Sequence, residues 1–465
     1  MVLVTKRSSS TCCEVPASNQ MTRSLEYVAL VPDPTPRQRL ETIYRAAIDA
    51  IQPAHAVHAG LADAAFDAGA PIHFLALGKA ARTMLSAALA WCDMRGIHAA
   101  GGLCISHERD ALTLPAGFVA AHGDHPHPHD ASASAAARLH GYVSERVHDG
   151  DMVVVLLSGG TSALIGAPAG ALTHDDYRAC CSALLRSGLD INAHNAIRRL
   201  LSRWGNGRLG EALHAAGSQV TVLAISDVTG DAPASIGGAP CVFTSMEADA
   251  SDALLATASL TAAERTRLRD ALRVAGADVT GDFPPIPHRV ISSNRMACEA
   301  IARAAAAQGL ATTVPPLVLD GDAHACGAAI VHALLDAAPA LTAPALWCWG
   351  GEPVLSLPPD APPGGRMQAL AMAAARALHE AGGQANAISI LAAGTDGRDG
   401  ATDAAGAVID GRTWQAVLDG GSDPAALLAT HDSHSALRSA GALIPAFASG
   451  TNVNDVVVAI VDRAI

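Results

Sequence analysis

Three short segments carry residue types suited to chemistry on an anion, and each sits where a turn meets a helical stretch. Ser158-Gly159-Gly160-Thr161-Ser162 follows the apolar run MVVVLL, Met152 to Leu157. Glycines there let backbone N–H groups approach an anion, while the hydroxyls and a following helix start add donors without charge. The plainer alternative is a tight turn with a Ser or Thr cap. Lys79, in Gly78-Lys79-Ala80-Ala81, follows IHFLAL, Ile72 to Leu77. A helix start disfavours a cation, so this placement suits an anionic ligand better than it suits the helix; a solvated lysine is the alternative. Arg366, in Gly364-Gly365-Arg366, obeys the same logic, because a guanidinium grips carboxylate or phosphate through parallel bonds. No G-x-x-x-x-G-K-[ST] occurs, so a Walker-type loop is not the machinery.

Carboxylates follow apolar runs in the same way. Asp227 and Asp231 come after VTVLAI, Val220 to Ile225, and Asp396 after ISILAA, Ile388 to Ala393. Such residues hold Mg²⁺ together with substrate phosphates, or they cap a turn. Function is the preferred reading for Asp227 and Asp396, and loop bracing for Asp231, Asp399 and Asp403. His125-Pro126-His127-Pro128-His129 alternates three histidines, but a proline-rich extended segment has about three residues per turn, so residues two apart do not share a face. A metal site is not expected there.

These turns must be delivered to one place by a scaffold. Apolar runs of strand length alternate with Ala-rich amphipathic stretches, which predicts an α/β fold with a doubly wound sheet whose strand ends converge on a crevice. The Pro-rich stretch Phe283 to Pro287 predicts a junction, giving a disordered extension over 1–36, a Rossmann-like domain over 37–283 and a smaller α/β domain over 288–465. The last strand is allowed to return to the first domain. Lys+Arg 31 against Asp+Glu 44 gives a net charge of −13, which repels nucleic acid, and apolar stretches are interrupted before bilayer length. The ten cysteines form no C-x-x-C spacing and fit reduced thiols in the cytoplasm. A homodimer is compatible with this sequence.

Taken together, the motifs resemble the type II glycerate kinases, which make 2-phosphoglycerate from D-glycerate and ATP and carry a MOFRL domain. The resemblance runs from about Arg37 onward. It rests on Gly78-Lys79-Ala80-Ala81, His125-Pro126-His127-Pro128, Ser158 to Leu164, Asn192 through Arg198, Ser226-Asp227-Val228, Ser293-Asn294 and Gly350-Gly351-Glu352, then on Gly364-Gly365-Arg366, Thr395-Asp396-Gly397, Ala401 to Ala407 and Thr451 to Asp455. It implies a two-domain protein with its site in the cleft, and ATP, Mg²⁺ and a small hydroxy acid as ligands. Lys79, Arg366 and Asp227 would be catalytic; Lys79, Arg198 and Arg366 would contact the acid. Ser158, Gly159, Gly160, Thr161, Ser162, Asn294 and Thr395 would contact the nucleotide, and Asp227 and Asp396 the metal, with either able to act as base. The family reads N-Q-E after the arginine where this chain has Met367-Gln368-Ala369. That departure predicts a pocket wall changed from polar to apolar, and with it an altered acid or a non-catalytic, metabolite-binding protein. A hydroxypyruvate reductase is a further alternative, but no G-x-G-x-x-G follows a strand.

Overall fold

Six apolar runs build a parallel sheet in the computed structural model, which describes residues 34–63, 69–246, 248–276, 281–315 and 318–462. They are β1 (Ile72–Leu77), β2 (Ala99–Ser106), β3 (Phe118–His122), β4 (Met152–Leu157), β5 (Gln219–Ser226) and β6 (His288–Ser293). Their order is β3-β2-β1-β4-β5-β6, with every neighbouring pair parallel. This is the doubly wound order of a Rossmann-like sheet, and its direction of growth reverses between β1 and β4. Both of those strands are buried along their whole length, which explains their unbroken apolar sequences. Alternate residues serve two cores, Val153, Val155 and Leu157 on one face and Met152, Val154 and Leu156 on the other.

A second, mixed sheet contains β7 (Ala311–Thr313), β8 (Ala345–Gly351), β9 (Ile388–Gly394), β10 (Ala404–Asp410), β11 (Leu443–Pro445) and β12 (Asp455–Val461), in the order β11-β10-β9-β12-β8-β7. β12 is antiparallel to both of its neighbours, so its first residue, Asp455, pairs with Gly351 and Gly394 at the carboxyl ends of β8 and β9. Val456, Val458 and Ile460 belong to the same core as Met152, Val154 and Leu156 of the first sheet. Val457, Ala459 and Val461 face the other way, into the core that holds the helices Ala323–Ala337 and Arg366–Ala381. Residues Pro36–Ile465 fold as one unit containing both sheets.

The expected partition of the chain departs from this arrangement in three places. β6 lies beyond the Pro-rich segment yet pairs with β5, so the first sheet extends past the expected junction. The helix Pro36–Ala50 packs on β9, β12 and the helix Asn294–Ala306, although its sequence neighbours feed the first sheet. Its buried stripe of Leu40, Ile43, Tyr44, Ala47 and Ile48 has helical spacing, which reveals a buried face but not which sheet buries it. The last strand does not return to the first sheet; it fills the gap between β8 and β9. Most of the expected 1–36 extension, residues 1–33, lies outside the described residues, and Pro36 already opens a helix.

The eight cysteines among the described residues are all unpaired thiols. No helix among those residues is long and apolar enough to cross a membrane.

Candidate active site

The carboxyl ends of β1, β4 and β5 are tied together before any ligand is considered. Gly78 adopts φ +123°, and a side chain there would collide with Ser158. Freed of that clash, the two turns interlock: the Lys79 amide donates to the Gly159 carbonyl at 2.9 Å, and the Ala80 amide to Ser158 Oγ at 3.1 Å. Ser158 Oγ in turn donates to the Leu77 carbonyl at 3.2 Å, and Thr161 Oγ1 to the Ser158 carbonyl at 2.7 Å. A Cβ on Gly159 would overlap the Asp227 carboxylate, so the β5 turn lies directly against the β4 turn. The half-buried Lys79 side chain emerges from this junction with no hydrogen-bond or ion-pair partner among the described residues. Arg198, on the helix Ile191–Leu201, donates to Ser162 Oγ at 2.7 Å and to Asn195 Oδ1 at 3.1 Å.

The second sheet presents Arg366 at the first turn of the helix Arg366–Ala381. Asp399 sets that helix end, accepting from the amides of Met367 (3.1 Å) and Gln368 (2.8 Å) and from Gln368 Nε2 (3.0 Å). Its carboxylate occupies the space a side chain on Gly365 would need, which accounts for a glycine before the arginine. Arg366 then donates from Nε to Asp455 Oδ2 at 2.6 Å and from Nη1 to Glu352 Oε1 at 2.9 Å. Its Nη2 is unspent among the described residues. Burial pushes the Asp455 carboxyl up to about 7 against the pull of Arg366. Arg366, Asp396, Arg398, Asn452 and Asp455 line a cavity of about 380 Å³, together with apolar residues from Pro353 to Leu357.

Asn454 joins the two ends. In a left-handed conformation (φ 66°), it donates from Nδ2 to the Asp227 carbonyl at 2.7 Å, while its own carbonyl accepts from the Thr395 amide at 2.9 Å. One residue therefore bridges the β5 turn to the turn bearing Asp396. The electrostatics agree. Burial raises the Asp227 carboxyl while Lys79 opposes the rise, and burial raises Asp396 while the Arg398 amide, Arg366, Arg398 and Lys79 oppose it. Lys79 and Arg366 thus act on one carboxylate, Asp396, from different sheets.

Of the sequence-derived candidates, Lys79, Asp227, Arg366 and Asp396 come together here, with Gly159 under Asp227 and Arg198 reached through Ser162. Others are turned to architecture. Thr395 is fully buried, donating to the Asn454 carbonyl and accepting from the Val453 amide. Asn294 donates to the carbonyls of Val453 (2.8 Å) and Asp455 (2.9 Å) and so anchors the start of β12. Ser158 fastens the β4 turn to the end of β1, and Thr161 braces its own loop. Met367 and Ala369 do not form the expected apolar wall: both are buried in the core behind the site, beneath the second sheet. Asp455, Glu352 and Asn454 received no role from sequence reasoning. Asp455 closes the motif Thr451 to Asp455, and as an Asp at the head of an otherwise apolar strand, DVVVAIV, it carries a second signal.

Magnesium suits the donor set. The Asp227 carboxylate accepts from no side chain among the described residues, and the Asp396 carboxylate accepts only from the Arg398 amide, at 2.9 Å, among them. No group of three or more His, Cys, Asp or Glu that could hold a metal ion occurs among the described residues. A hard cation held by one or two carboxylates and completed by substrate phosphates matches that supply, whereas a resident all-protein cage does not.

Comparison with known proteins agrees with this architecture. Residues 39–273 match a family model described as a domain of unknown function, DUF4147, and residues 345–455 match the MOFRL family. A glycerate 2-kinase of Pyrococcus horikoshii is 31% identical over 69% of this chain and 72% of its own length. A protein of Agrobacterium vitis that carries a hydroxypyruvate reductase name is 32% identical over 91% of this chain and 94% of its own. The crystal structure of a glycerate kinase from Thermotoga maritima superposes with a TM-score of 0.80 at 28% identity, covering 91% of this chain and 99% of that one.

Proposed function

The chain belongs to the family that joins a DUF4147 region to a MOFRL region and includes glycerate 2-kinases, and from that premise we propose that it phosphorylates the 2-hydroxyl of D-glycerate, or of a close small 2-hydroxy acid, using ATP and Mg²⁺. The observation that carries the reading is geometric: Asn454 ties the Asp227 turn, which packs against the interlocked turns bearing Lys79 and Ser158, to the turn bearing Asp396, in the cavity that Arg366 also lines. Phosphoryl transfer asks chiefly for positioning and charge neutralisation, and two cations facing one crevice supply both. Arg366 is oriented by Asp455 and Glu352, which leaves its Nη2 to meet the transferring group. Lys79, unpaired, meets the developing charge from the opposite side. Asp396 is the residue that would hold Mg²⁺, which when bound neutralises the nucleotide phosphates. Asp227, whose burial raises its affinity for a proton, takes the proton of the attacking 2-hydroxyl.

A reductase would need a dinucleotide loop at β1. That strand instead runs into Gly78-Lys79-Ala80, whose lysine would crowd a pyrophosphate-binding turn built for glycines. The test is direct: purified protein with D-glycerate, Mg²⁺ and ATP, read by ADP release and by phosphorus NMR of the product. Formation of 2-phosphoglycerate is expected. No turnover with glycerate, erythronate or tartronate, or NADH oxidation dependent on hydroxypyruvate, would reject the proposal.

A further inference from the structure

A chain of hydrogen bonds runs from the protein surface to the helix that carries Arg366, and the kinase reading uses only its inner end. Gln368, two residues after Arg366, is fully buried beside the apolar core of the second sheet. Its Nε2 donates to Asp399 Oδ2 at 3.0 Å, to the Asp399 carbonyl at 3.2 Å and to Thr402 Oγ1 at 3.1 Å. A carboxylate and a carbonyl only accept, so the amide cannot be turned over, and it is Oε1 that faces His434 Nδ1, at 2.6 Å. Nδ1 therefore carries a proton and donates to Gln368. The other ring nitrogen, Nε2, lies 2.7 Å from Arg438 Nη2 and 3.2 Å from Asp403 Oδ1, and Arg438 and Asp403 are themselves paired at 2.7 Å. His434, with a side chain 13% exposed, is thus the link between an exposed ion pair and a buried amide.

We propose that His434 is a positioning residue for phosphoryl transfer: through Gln368 and Asp399 it sets the aim of Arg366. The assignment rests on the kinase reading for what Arg366 does, and on the hydrogen bonds alone for how it is held. A buried amide is costly in a core unless each of its polar atoms is bonded, and Gln368 Oε1 has no partner but His434 among the described residues. Without that donor the amide is released to turn, and it takes with it a bond to Asp399 Oδ2, the same oxygen that accepts the Gln368 backbone amide. Hydrogen bonds from Gln368 and Met367 also oppose the upward push of burial on the Asp399 carboxyl, so the network helps to keep the helix anchor charged. Arg366 is the first residue of the helix that Asp399 fastens. A shift of that first turn moves the guanidinium against Asp455 and Glu352, and a misaimed cation costs turnover more than binding.

Two measurements test this. In steady-state assays with D-glycerate, ATP and Mg²⁺, His434→Ala is expected to lower kcat about three- to tenfold with KM within about twofold of the parent. In an Arg366→Ala background the same substitution should change kcat by less than about twofold, because a residue that acts through the arginine has nothing left to position. His434→Asn, whose amide nitrogen stands close to the place of Nδ1, should recover part of the loss. Arg438→Ala, at an exposed position where folding is not at stake, releases the ring from outside and should lower kcat about twofold. The second measurement does not depend on turnover. Arginine-selective ¹⁵N NMR follows hydrogen exchange at Arg366 Nε, its signal identified by its loss in Arg366→Lys, and exchange should be about threefold or more faster in His434→Ala. Losses that multiply with Arg366→Ala, a change confined to KM, His434→Asn no better than His434→Ala, or unchanged exchange at Arg366 would each overturn the assignment. A parent that phosphorylates none of the acids would instead defeat the kinase reading, and the exchange rates would then decide by themselves whether His434 holds Arg366.

Discussion

The two ends of the cleft handle positive charge in opposite ways. At the first sheet, Lys79 and Arg198 are held by backbone packing and neutral side chains, with no carboxylate in hydrogen-bonding contact among the described residues. At the second, Arg366 is pinned by Asp455 and Glu352, and Asp399 fixes the helix that carries it. An uncompensated cation keeps its field for an incoming anion but is loosely aimed. A compensated one gives up field and gains a fixed direction, because a guanidinium already bonded through two nitrogens loses little freedom when the third engages. The contrast assigns attraction to the first end and alignment to the second.

The largest expected effect comes from deleting either cation. Lys79→Ala and Arg366→Ala should each lower kcat/KM by about a hundredfold or more in steady-state assays, with unchanged circular dichroism. Arg366→Lys should rescue little, since a lysine cannot meet Asp455 and Glu352 while keeping a nitrogen for the substrate. A Lys79→Arg variant that kept full alignment-dependent turnover would erase the distinction between the ends. Asp455→Asn tests alignment alone. It preserves shape but removes the charge beside Arg366 Nε, and kcat should fall about tenfold with a smaller change in KM. A rise confined to KM would mean that Arg366 attracts rather than aligns.

The smallest effect concerns pH. His194 lies one turn before Arg198, is buried, and is pushed down to about 4 from an ordinary 6.5 by burial and then by that unneutralised arginine. The unfolded chain binds this proton first, so the contribution to stability is complete above about 6.5 and is lost as pH falls toward about 4. His194→Gln should therefore show a smaller drop in urea midpoint between those two pH values than the parent. An equal drop would show that His194 takes up its proton in the folded chain much as in the unfolded one, with neither burial nor Arg198 holding it down.

Much of the first sheet was readable from residues alone. IHFLAL, MVVVLL and VTVLAI are strands because a parallel strand covered on both faces needs no polar alternation, and the turn residues after them mark the carboxyl edge. β2 and β3 were not anticipated. AAGGLCIS carries two glycines that lower strand propensity, and they are tolerated because Phe118 and the Gly117 carbonyl press against them. In the site, Lys79 and Arg366 stood out because a cation beside small residues at a helix start is locally unfavourable. Asp455 and Asn454 did not, since their importance comes from antiparallel pairing with strands distant in sequence, which no local spacing encodes. Thr395 and Asn294 show the converse: polar residues after strands also serve to fasten one strand to the next.

The position of β12 bears on how the molecule is made. The strand that divides β8 from β9 follows every other described strand in the sequence, and its leading residue holds the arginine of the cleft. Until the ribosome has released residues through Val461, the second sheet has an open slot at its centre with the backbone edges of β8 and β9 unpaired. Nascent chains therefore pass through a stage in which the first sheet can be complete while the arginine has no anchor, and a chaperone that shields the slot would act at that stage.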